Sequence, residues 1–236
     1  MSVTGPDGDG SADADPPRDR VLVLVDDLQR PELTDDDRRH LERSLRLRPG
    51  TPITVADGVG RWRSALLGPD VEPDGPVRSV SSRPNDLVVG FAPVKGDRSE
   101  LIVQKLTELG VEVIVPLVTE RSVVRWDGER GAKHQLRLAR VAREAAMQSR
   151  NPRLPRLEGQ RSLADFLGDH PGALLADPDG TAPPSAVAAA GAVAIGPEGG
   201  FSPAERQGRA TVRLPGRILR TETAAIAAAV LLVGGT

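Results

Sequence analysis

Two glycine-rich stretches near the end of the chain carry the residues best suited to hold a ligand. The first, IGPEGGFSPAE (residues 195–205), follows the apolar run AVA, and the second, LPGRILRTETA (residues 214–224), follows ATVR. Each joins a predicted strand to a predicted helix start. Backbone N–H and C=O groups in such turns can recognise an adenine edge or a carboxylate without a charged side chain. Two such loops after late strands therefore predict a shared pocket.

The spacing of these glycines does not match the common nucleotide-binding motifs. The phosphate loop requires G-x-x-x-x-G-K-[ST], and no Lys follows the glycines here; the dinucleotide fingerprint G-x-G-x-x-G is also absent. The three histidines are scattered and the chain has no Cys, so a metal site is not expected. The spacing does not exclude a Ser-His-Asp site, but no strained nucleophile elbow is present.

The composition predicts an aliphatic core and no membrane span. Of the 236 residues, 39% are hydrophobic, with only three Phe, two Trp and no Tyr. No run approaches the roughly 18 apolar residues of a transmembrane helix, and the N-terminus lacks the basic and apolar regions of a secretory signal. Without cysteine, disulfides and thiolate chemistry are ruled out. We therefore expect a cytoplasmic protein.

The charges are distributed unevenly, although the net charge is only −2. Residues 1–20 carry five Asp and two Arg without an apolar cluster, which predicts a disordered acidic tail over residues 1–17. Residues 121–161 carry eleven Lys and Arg against four acids, which suits contact with phosphates but also an ordinary solvated face. Arg makes up 28 of the 31 basic residues, a bias that we attribute to genome composition.

Residues 18–83 have the pattern of a small β-rich domain. The run RVLVLVDD (residues 20–27) predicts a strand, and Thr34 can cap a short charged helix. Alternating apolar residues around Asp57-Gly58 predict a hairpin. The linker SSRPND (residues 81–86) separates this domain from the remainder.

From residue 84 to residue 236 strands alternate with helices, which predicts an α/β domain with a mostly parallel sheet. A long helix over residues 133–150 has apolar residues on one predicted side, at Leu136, Ala139, Ala142 and Ala146. Ser202 and Glu205 predict a capping box at a further helix start. Thr221 is predicted to cap the last helix, whose small apolar residues must be buried on most sides.

Four ordered segments resemble the RsmE family of ribosomal RNA methyltransferases, within the knotted SPOUT superfamily. Besides the two glycine-rich stretches, KGDRSELIVQKLTELGVEVIVPLVTERSV (residues 95–123) matches the family's helix and strand ending in Glu-Arg-Ser. REAAMQSR (residues 143–150) matches its E-A-A-x-Q-S helix, and LRLRPGTPITVADG is similar to part of its PUA-like barrel. The resemblance covers roughly residues 18–236, and four motifs in order are more specific than any one.

The resemblance implies a fold, a cofactor and partners. The expected fold is a small PUA-like β-barrel domain (residues 18–83) followed by a SPOUT-type α/β trefoil-knot domain (residues 84–236). The expected cofactor is S-adenosyl-L-methionine, and the methyl acceptor is ring nitrogen N3 of one uridine in 16S rRNA within the small ribosomal subunit. A homodimer with its active site at the interface is expected, and neither a metal nor a membrane takes part.

The implied cofactor-binding residues lie in both glycine-rich stretches and at one earlier strand end. They are Leu175, Ala176, Ile195, Gly196, Glu198, Gly199, Gly200, Leu214, Pro215, Gly216, Ile218, Leu219 and Thr223. The family pattern L-G-x-R becomes Leu214-Pro215-Gly216-Arg217, which displaces the glycine by one and removes a backbone donor.

The implied chemistry explains the polar residues. Uridine N3 bears a proton with a pKa well above neutral, so this proton must be removed or strongly polarised, and a positioned carboxylate could take it. A guanidinium can stabilise the negative charge that spreads onto O2 and O4. Glu198 and Glu222 are candidates for the first role, and Arg220 and Arg121 for the second. Alternatively, Glu222 complements a helix N-terminus and Arg220 only ties the knot.

The residues expected to face RNA lie mostly on and after the long helix. They are Arg121, Arg137, Arg140, Arg143, Gln148, Arg150 and Arg153. Their three- and four-residue spacing also suits ordinary solvent exposure. The family has Gly-Arg after Q-S, whereas this chain has Arg150-Asn151, so the arginine expected at position 151 is missing.

Two other functions remain open at this point. One is a SPOUT enzyme that methylates another RNA atom, such as a ribose 2′-hydroxyl. The other is a ribosome-associated RNA-binding protein without catalysis, against which the intact IGPEGG and RILRTET segments argue. A dinucleotide-dependent reductase is excluded because the fingerprint is missing.

Overall fold

The chain folds into two compact units that are not fully consecutive in sequence. The computed structural model describes residues 14–81, 83, 85–126 and 128–235. The first unit holds the described residues up to 81 together with Arg150–Arg153, and the second holds the rest. Most of the predicted acidic tail, residues 1–13, lies outside the described residues. No described helix is long and apolar enough to cross a membrane.

The first unit contains a four-stranded mixed sheet in the order β1-β2-β3-β4. Its elements are β1 (Leu22–Leu24), α1 (Asp35–Arg39), a π-helical turn (His40–Ser44), β2 (Pro52–Ala56), β3 (Arg61–Leu66) and β4 (Glu72–Ser79). β1 and β2 are parallel, and the other two pairs are antiparallel. The hairpin around Asp57 and the cap at Thr34, whose hydroxyl accepts from Asp37 N, are both confirmed. Closure of this sheet into a barrel stays a prediction.

Arg153 reaches two strand ends of the first unit. Its guanidinium donates to Val59 O at 2.8 Å and to Val80 O at 2.7 Å. Gly60 has a φ of +103°, and a Cβ there would lie 2.6 Å from Arg153 Cζ. The positive φ favours glycine at this position, and the glycine leaves the space that the Arg153 guanidinium fills.

The second unit is an α/β domain with a seven-stranded sheet, as predicted. The strand order is β11-β9-β10-β5-β6-β7, with β8 paired to β6, and every pairing among the described strands is parallel. Its elements are β5 (Val88–Phe91), α2 (Arg98–Glu108), β6 (Val113–Val118), α3 (Gly128–Ser149), β7 (Arg156–Leu157), β8 (Arg161–Ser162), α4 (Leu163–Asp169), β9 (Leu174–Ala176), α5 (Ala186–Ala190), β10 (Ala192–Ile195), α6 (Pro203–Arg206), β11 (Thr211–Val212) and α7 (Thr221–Gly234). The trefoil knot stays a prediction.

Both faces of this sheet are covered, as parallel sheets require. One core cluster joins residues of the sheet to α2, α3 and α7, and the other joins them to α4 and Phe201. α7 buries small residues at Ala224, Ala225, Ala228 and Ala229 along one face, whereas Val230 is 52% exposed, so the prediction that the helix is buried on most sides was wrong. Small side chains let a helix approach the sheet closely, so the start of α7 is held tightly against the strand ends.

Two other local predictions were wrong. Leu136 is 74% exposed and Ala139 is exposed, because the buried stripe of α3 runs through Leu138, Ala142, Ala145 and Ala146. Two residues turn a helix by about 200°, so Leu136 points away from this stripe. Thr221 is the first residue of α7 rather than its cap; Arg220 occupies the cap position.

Replacing Gly180 by Ala should destabilise the second unit. A Cβ at this position would lie 2.3 Å from the carbonyl carbon of Val212, in the loop that pairs with β11 through Asp177 N and Val212 O. Backbone atoms cannot give way cheaply, so we expect a loss of about 1–3 kcal/mol in the free energy of unfolding, measured with urea. Gly172→Ala is the matched control, since its Cβ would meet nothing within 4 Å. Equal stability of both variants would contradict the packing described.

Candidate functional site

The carboxyl ends of β5, β6, β9, β10 and β11 lie on one edge of the sheet, because all their pairings are parallel. Ligands of open α/β sheets bind at this edge. The register places Ala176 beside Ile195 on one side and beside Val212 on the other. The two glycine-rich stretches begin directly after Ile195 and Val212. The sheet thus brings both together, as the sequence predicts.

The first loop, residues 196–202, is held by its own backbone and by the next helix. Gly200 has a φ of +66° and donates to Pro197 O at 2.8 Å, which closes a tight turn. Ser202 and Glu205 form the predicted capping box of α6. The same Glu205 carboxylate accepts from Glu120 N at 2.8 Å. The capping box therefore also fixes the loop that follows β6.

Arg121 stabilises the glycine loop from outside. Its guanidinium donates to Gly199 O at 2.7 Å, and a Cβ on Gly199 would lie 3.6 Å from Arg121 Cδ. At Gly200 a Cβ would meet nothing within 4 Å. The loop therefore presents bare backbone beside open space, which suits a ligand that lies flat against it.

The second loop, residues 213–220, has an apolar residue packed against the protein near each end and exposed residues between them. Leu214 is buried and Leu219 is half-buried, whereas Pro215, Gly216 and Ile218 are exposed. Gly216 has a φ of +114° that favours glycine. Thr223, one turn into α7, is also exposed.

Thr221 joins the two loops. Its buried hydroxyl donates to Gly196 O at 3.1 Å, across 25 residues of chain. Gly196 itself is buried, and Leu175, which lies in β9 beside β10, is fully buried. The two loops are thus one structural unit at the strand ends, although the sequence suggested only a cap for this threonine.

Arg98 lies between the two candidate carboxylates. Its Nη1 is 3.2 Å from Glu198 Oε1 and 3.7 Å from Glu222 Oε2. The Glu222 side chain is 12% exposed against 54% for Glu198, and Glu222 Oε2 has no hydrogen-bond partner among the described residues. Sequence reasoning missed Arg98; the signal was its place in KGDRSE, one of the family segments.

The arginines proposed for catalysis differ in their contacts. Arg220 is exposed, and no described residue makes a hydrogen bond or ion pair with its side chain. Arg121 is exposed too, but it already donates to Gly199 O. Of these two arginines, Arg220 is therefore the one whose guanidinium remains available to a substrate.

The residues predicted to face RNA are not gathered at the strand ends. Arg137 forms ion pairs with Glu100 at 2.7 Å and Asp97 at 3.5 Å, and Arg140 pairs with Glu144 at 3.0 Å. The others on α3 are Arg143, which donates to Met147 Sδ, and the exposed Gln148. Arg150 and Arg153 belong to the first unit. An RNA-binding role for this set stays a prediction.

Replacing Thr221 by Val should weaken the link between the two loops. Valine keeps the shape of the side chain but leaves the buried Gly196 carbonyl without its donor, so we expect a loss of about 1–3 kcal/mol in the free energy of unfolding. Thr223→Val makes the same chemical change at an exposed position of α7 and serves as the control. If both variants unfold at the same midpoint concentration of denaturant, the hydrogen bond between Thr221 and Gly196 does not contribute to stability.

Comparison with known proteins agrees with this geometry. A family model described as an RNA methyltransferase domain matches residues 81–233. The ribosomal RNA small subunit methyltransferase E of Mycobacterium tuberculosis is 32% identical over 217 residues, covering 82% of each chain. A Legionella pneumophila methyltransferase solved in complex with the cofactor SAM has a TM-score of 0.77 at 28% identity, covering 91% of this chain and 97% of that one.

A second solved structure carries the family name itself. It is a ribosomal RNA small subunit methyltransferase E from Neisseria gonorrhoeae bound to S-adenosyl methionine, with a TM-score of 0.72 at 25% identity over 89% of this chain and 95% of that one. These three relatives cover more of the chain than the second unit alone. With its sheet, its paired loops and these relatives in agreement, the chain belongs to the ribosomal RNA small subunit methyltransferase E family.

Proposed function

We propose that this protein transfers the methyl group of S-adenosyl-L-methionine to N3 of one uridine in the 16S rRNA of the small ribosomal subunit. The observation that supports this best is the convergence of two glycine-bearing loops, joined by Thr221 and Gly196, beside the carboxylates of Glu198 and Glu222. The family relatives support the same substrate class. We expect the reaction in the cytoplasm and, from the resemblance, in a homodimer.

The cofactor fits the cradle at the strand ends. The backbone of Gly196, Gly199 and Gly200 would line one side, and the apolar side chains of Leu214 and Leu219 would hold the adenine. The fit is supported by the open space where a Cβ atom on Gly200 would stand. Further contacts would come from Leu175, Ala176, Ile195, Glu198, Pro215, Gly216, Ile218 and Thr223. When bound, the cofactor supplies a sulfonium-activated methyl group.

Glu222 is the better candidate for the proton acceptor. It lies in the first turn of α7, where the partial positive charge of the helix N-terminus stabilises a carboxylate. Its Oε2 has no hydrogen-bond partner among the described residues, and a carboxylate oxygen of this kind can accept the proton of uracil N3. Glu198 is more exposed and shares Arg98 with it. Arg98 acts by holding the two carboxylates in place.

Arg220 is the candidate for stabilising the uracil anion. It precedes Glu222 by two residues and has no partner among the described residues. A guanidinium beside O2 or O4 would stabilise the negative charge that develops when N3 loses its proton. Arg121 supports the reaction by fixing the Gly199 carbonyl rather than by touching the base. The remaining requirement is in-line positioning of N3 and the methyl group.

The direct test uses small ribosomal subunits from cells that lack this methylation. They are incubated with the protein and methyl-labelled S-adenosyl-L-methionine, and the RNA is digested to nucleosides for mass spectrometry. We expect a single 3-methyluridine. A labelled ribose would instead indicate a SPOUT enzyme that acts on a 2′-hydroxyl. No label, despite cofactor binding by calorimetry, would contradict the proposed reaction.

Glu222→Gln should slow the reaction far more than Glu198→Gln. The amide keeps the size of the side chain and its contact with Arg98 but cannot take a proton, so we expect kcat to fall by about 10²–10⁴-fold. Glu198→Gln, the matched control on the opposite side of Arg98, should change kcat less than about tenfold. Cofactor affinity, measured by calorimetry, should stay unchanged in Glu222→Gln. The assignment fails if Glu198→Gln is the more damaging substitution.

A further inference from the structure

A second cleft lies beside the candidate site, on the side of β5 and β6. It has a volume of about 320 Å³ and is formed by the loops after these strands and the N-terminal parts of α2 and α3. The residues that matter here are Lys95, Arg125, Trp126, Arg130, His134 and Arg137. Of the residues given a role above, only Arg137, predicted to face RNA, lines this space.

The charge of the cleft is one-sided. Four cationic side chains line it against a single acid, Glu100, and that acid is already paired with Arg137 at 2.7 Å. Among the described residues, no hydrogen bond or ion pair is made by the side chains of Lys95, Arg125 and Arg130. Three cations that face one concave space repel one another unless an anion enters it.

One wall of the cleft is flat and rigid. The rings of Trp126 and His134 are stacked, with centroids 4.9 Å apart and planes at 16°. Trp126 is 9% exposed, and its backbone N–H donates to Gln160 Oε1 at 2.8 Å, which fixes the loop. A rigid wall holds the cations in a set arrangement before any ligand arrives, so less ordering is needed on binding.

The cleft is continuous in sequence with the candidate active site. Lys95 and Gly96 line it, and Arg98, three residues after Lys95, contacts Glu198 and Glu222. An enzyme that acts on a base must take that base out of its stack, which brings the flanking phosphates close to the protein. The loop that ends in Arg98 therefore joins the cleft to the two carboxylates.

We infer that this cleft binds a phosphodiester of the RNA next to the target uridine. Lys95, Arg125 and Arg130 donate to the phosphate oxygens, and the His134–Trp126 stack packs against the adjoining sugar. Contacts of this kind set position and orientation but carry no base information. The inference rests on the proposed function and adds a subsite to it.

The test measures the binding of unmethylated small ribosomal subunits at about 50–200 mM salt by wild type, Arg125→Gln, Arg130→Gln and the double variant. Each phosphate contact contributes about 0.7–0.9 to the slope of log K against log salt. Because the three cations share one phosphate, we expect the double variant to reduce the magnitude of the slope by up to that amount, and each single substitution to reduce it by less. The KM for subunits should rise while kcat at saturation stays unchanged.

Arg209→Gln is the matched control, because Arg209 is exposed and belongs to neither site. Cofactor affinity by calorimetry should equal that of wild type in every variant, which shows that the fold is intact. A double variant with the slope and KM of Arg209→Gln would overturn the subsite. If wild type forms no 3-methyluridine but the slope still falls in the variants, the subsite stands and the proposed target atom is wrong.

Discussion

The candidate site depends on the parallel pairing of three very short strands, β9, β10 and β11. Two to four residues in each strand are enough to place Ala176, Ile195 and Val212 side by side. Beyond the strands the pairing continues through backbone bonds from Asp177 N to Val212 O and from Ala92 N to Ile195 O. Because so few hydrogen bonds define this edge, the loops gain their order from additional ties such as that between Thr221 and Gly196.

The packing of α7 fixes the positions of the polar residues at its N-terminus. Its alanines allow close contact with the core, so the first turn of the helix has one position relative to the sheet. Arg220 precedes that turn, and Thr221 and Glu222 lie in it; the three residues have three different roles. Arg220 occupies the cap position, Thr221 links the two loops, and Glu222 places a carboxylate at the positive end of the helix dipole. The packing of one helix positions all three.

What the sequence could predict was mostly local. The capping box at Ser202 and the hairpin at Asp57 depend on residues a few positions apart, and both were correct. The ties made by Thr221 and Arg98 join residues far apart in the chain, so no local pattern indicates them. The prediction of which side of α3 is buried was wrong for a related reason. In an alanine-rich helix the sequence does not determine which side is buried, because the packing against neighbouring elements decides it.

The roles of the arginines were the hardest to predict from the sequence. In a chain where 28 of 31 basic residues are Arg, residue type does not distinguish a structural guanidinium from a functional one. Arg121 binds a loop carbonyl, Arg98 bridges two acids and Arg153 donates to two strand-end carbonyls. Only the contacts in the structure separate these from Arg220, Arg125 and Arg130, which have no such partners among the described residues.

The membership of Arg150–Arg153 in the first unit has a consequence for how this architecture can vary. The unit is not a contiguous module, because its last piece is encoded about 70 residues downstream of its sheet, after the longest helix of the other unit. A fragment that stops after β4 lacks the guanidinium that binds Val59 O and Val80 O. A chimera that takes the first unit from a relative would therefore also need that relative's segment after α3. The two units cannot be exchanged independently of each other.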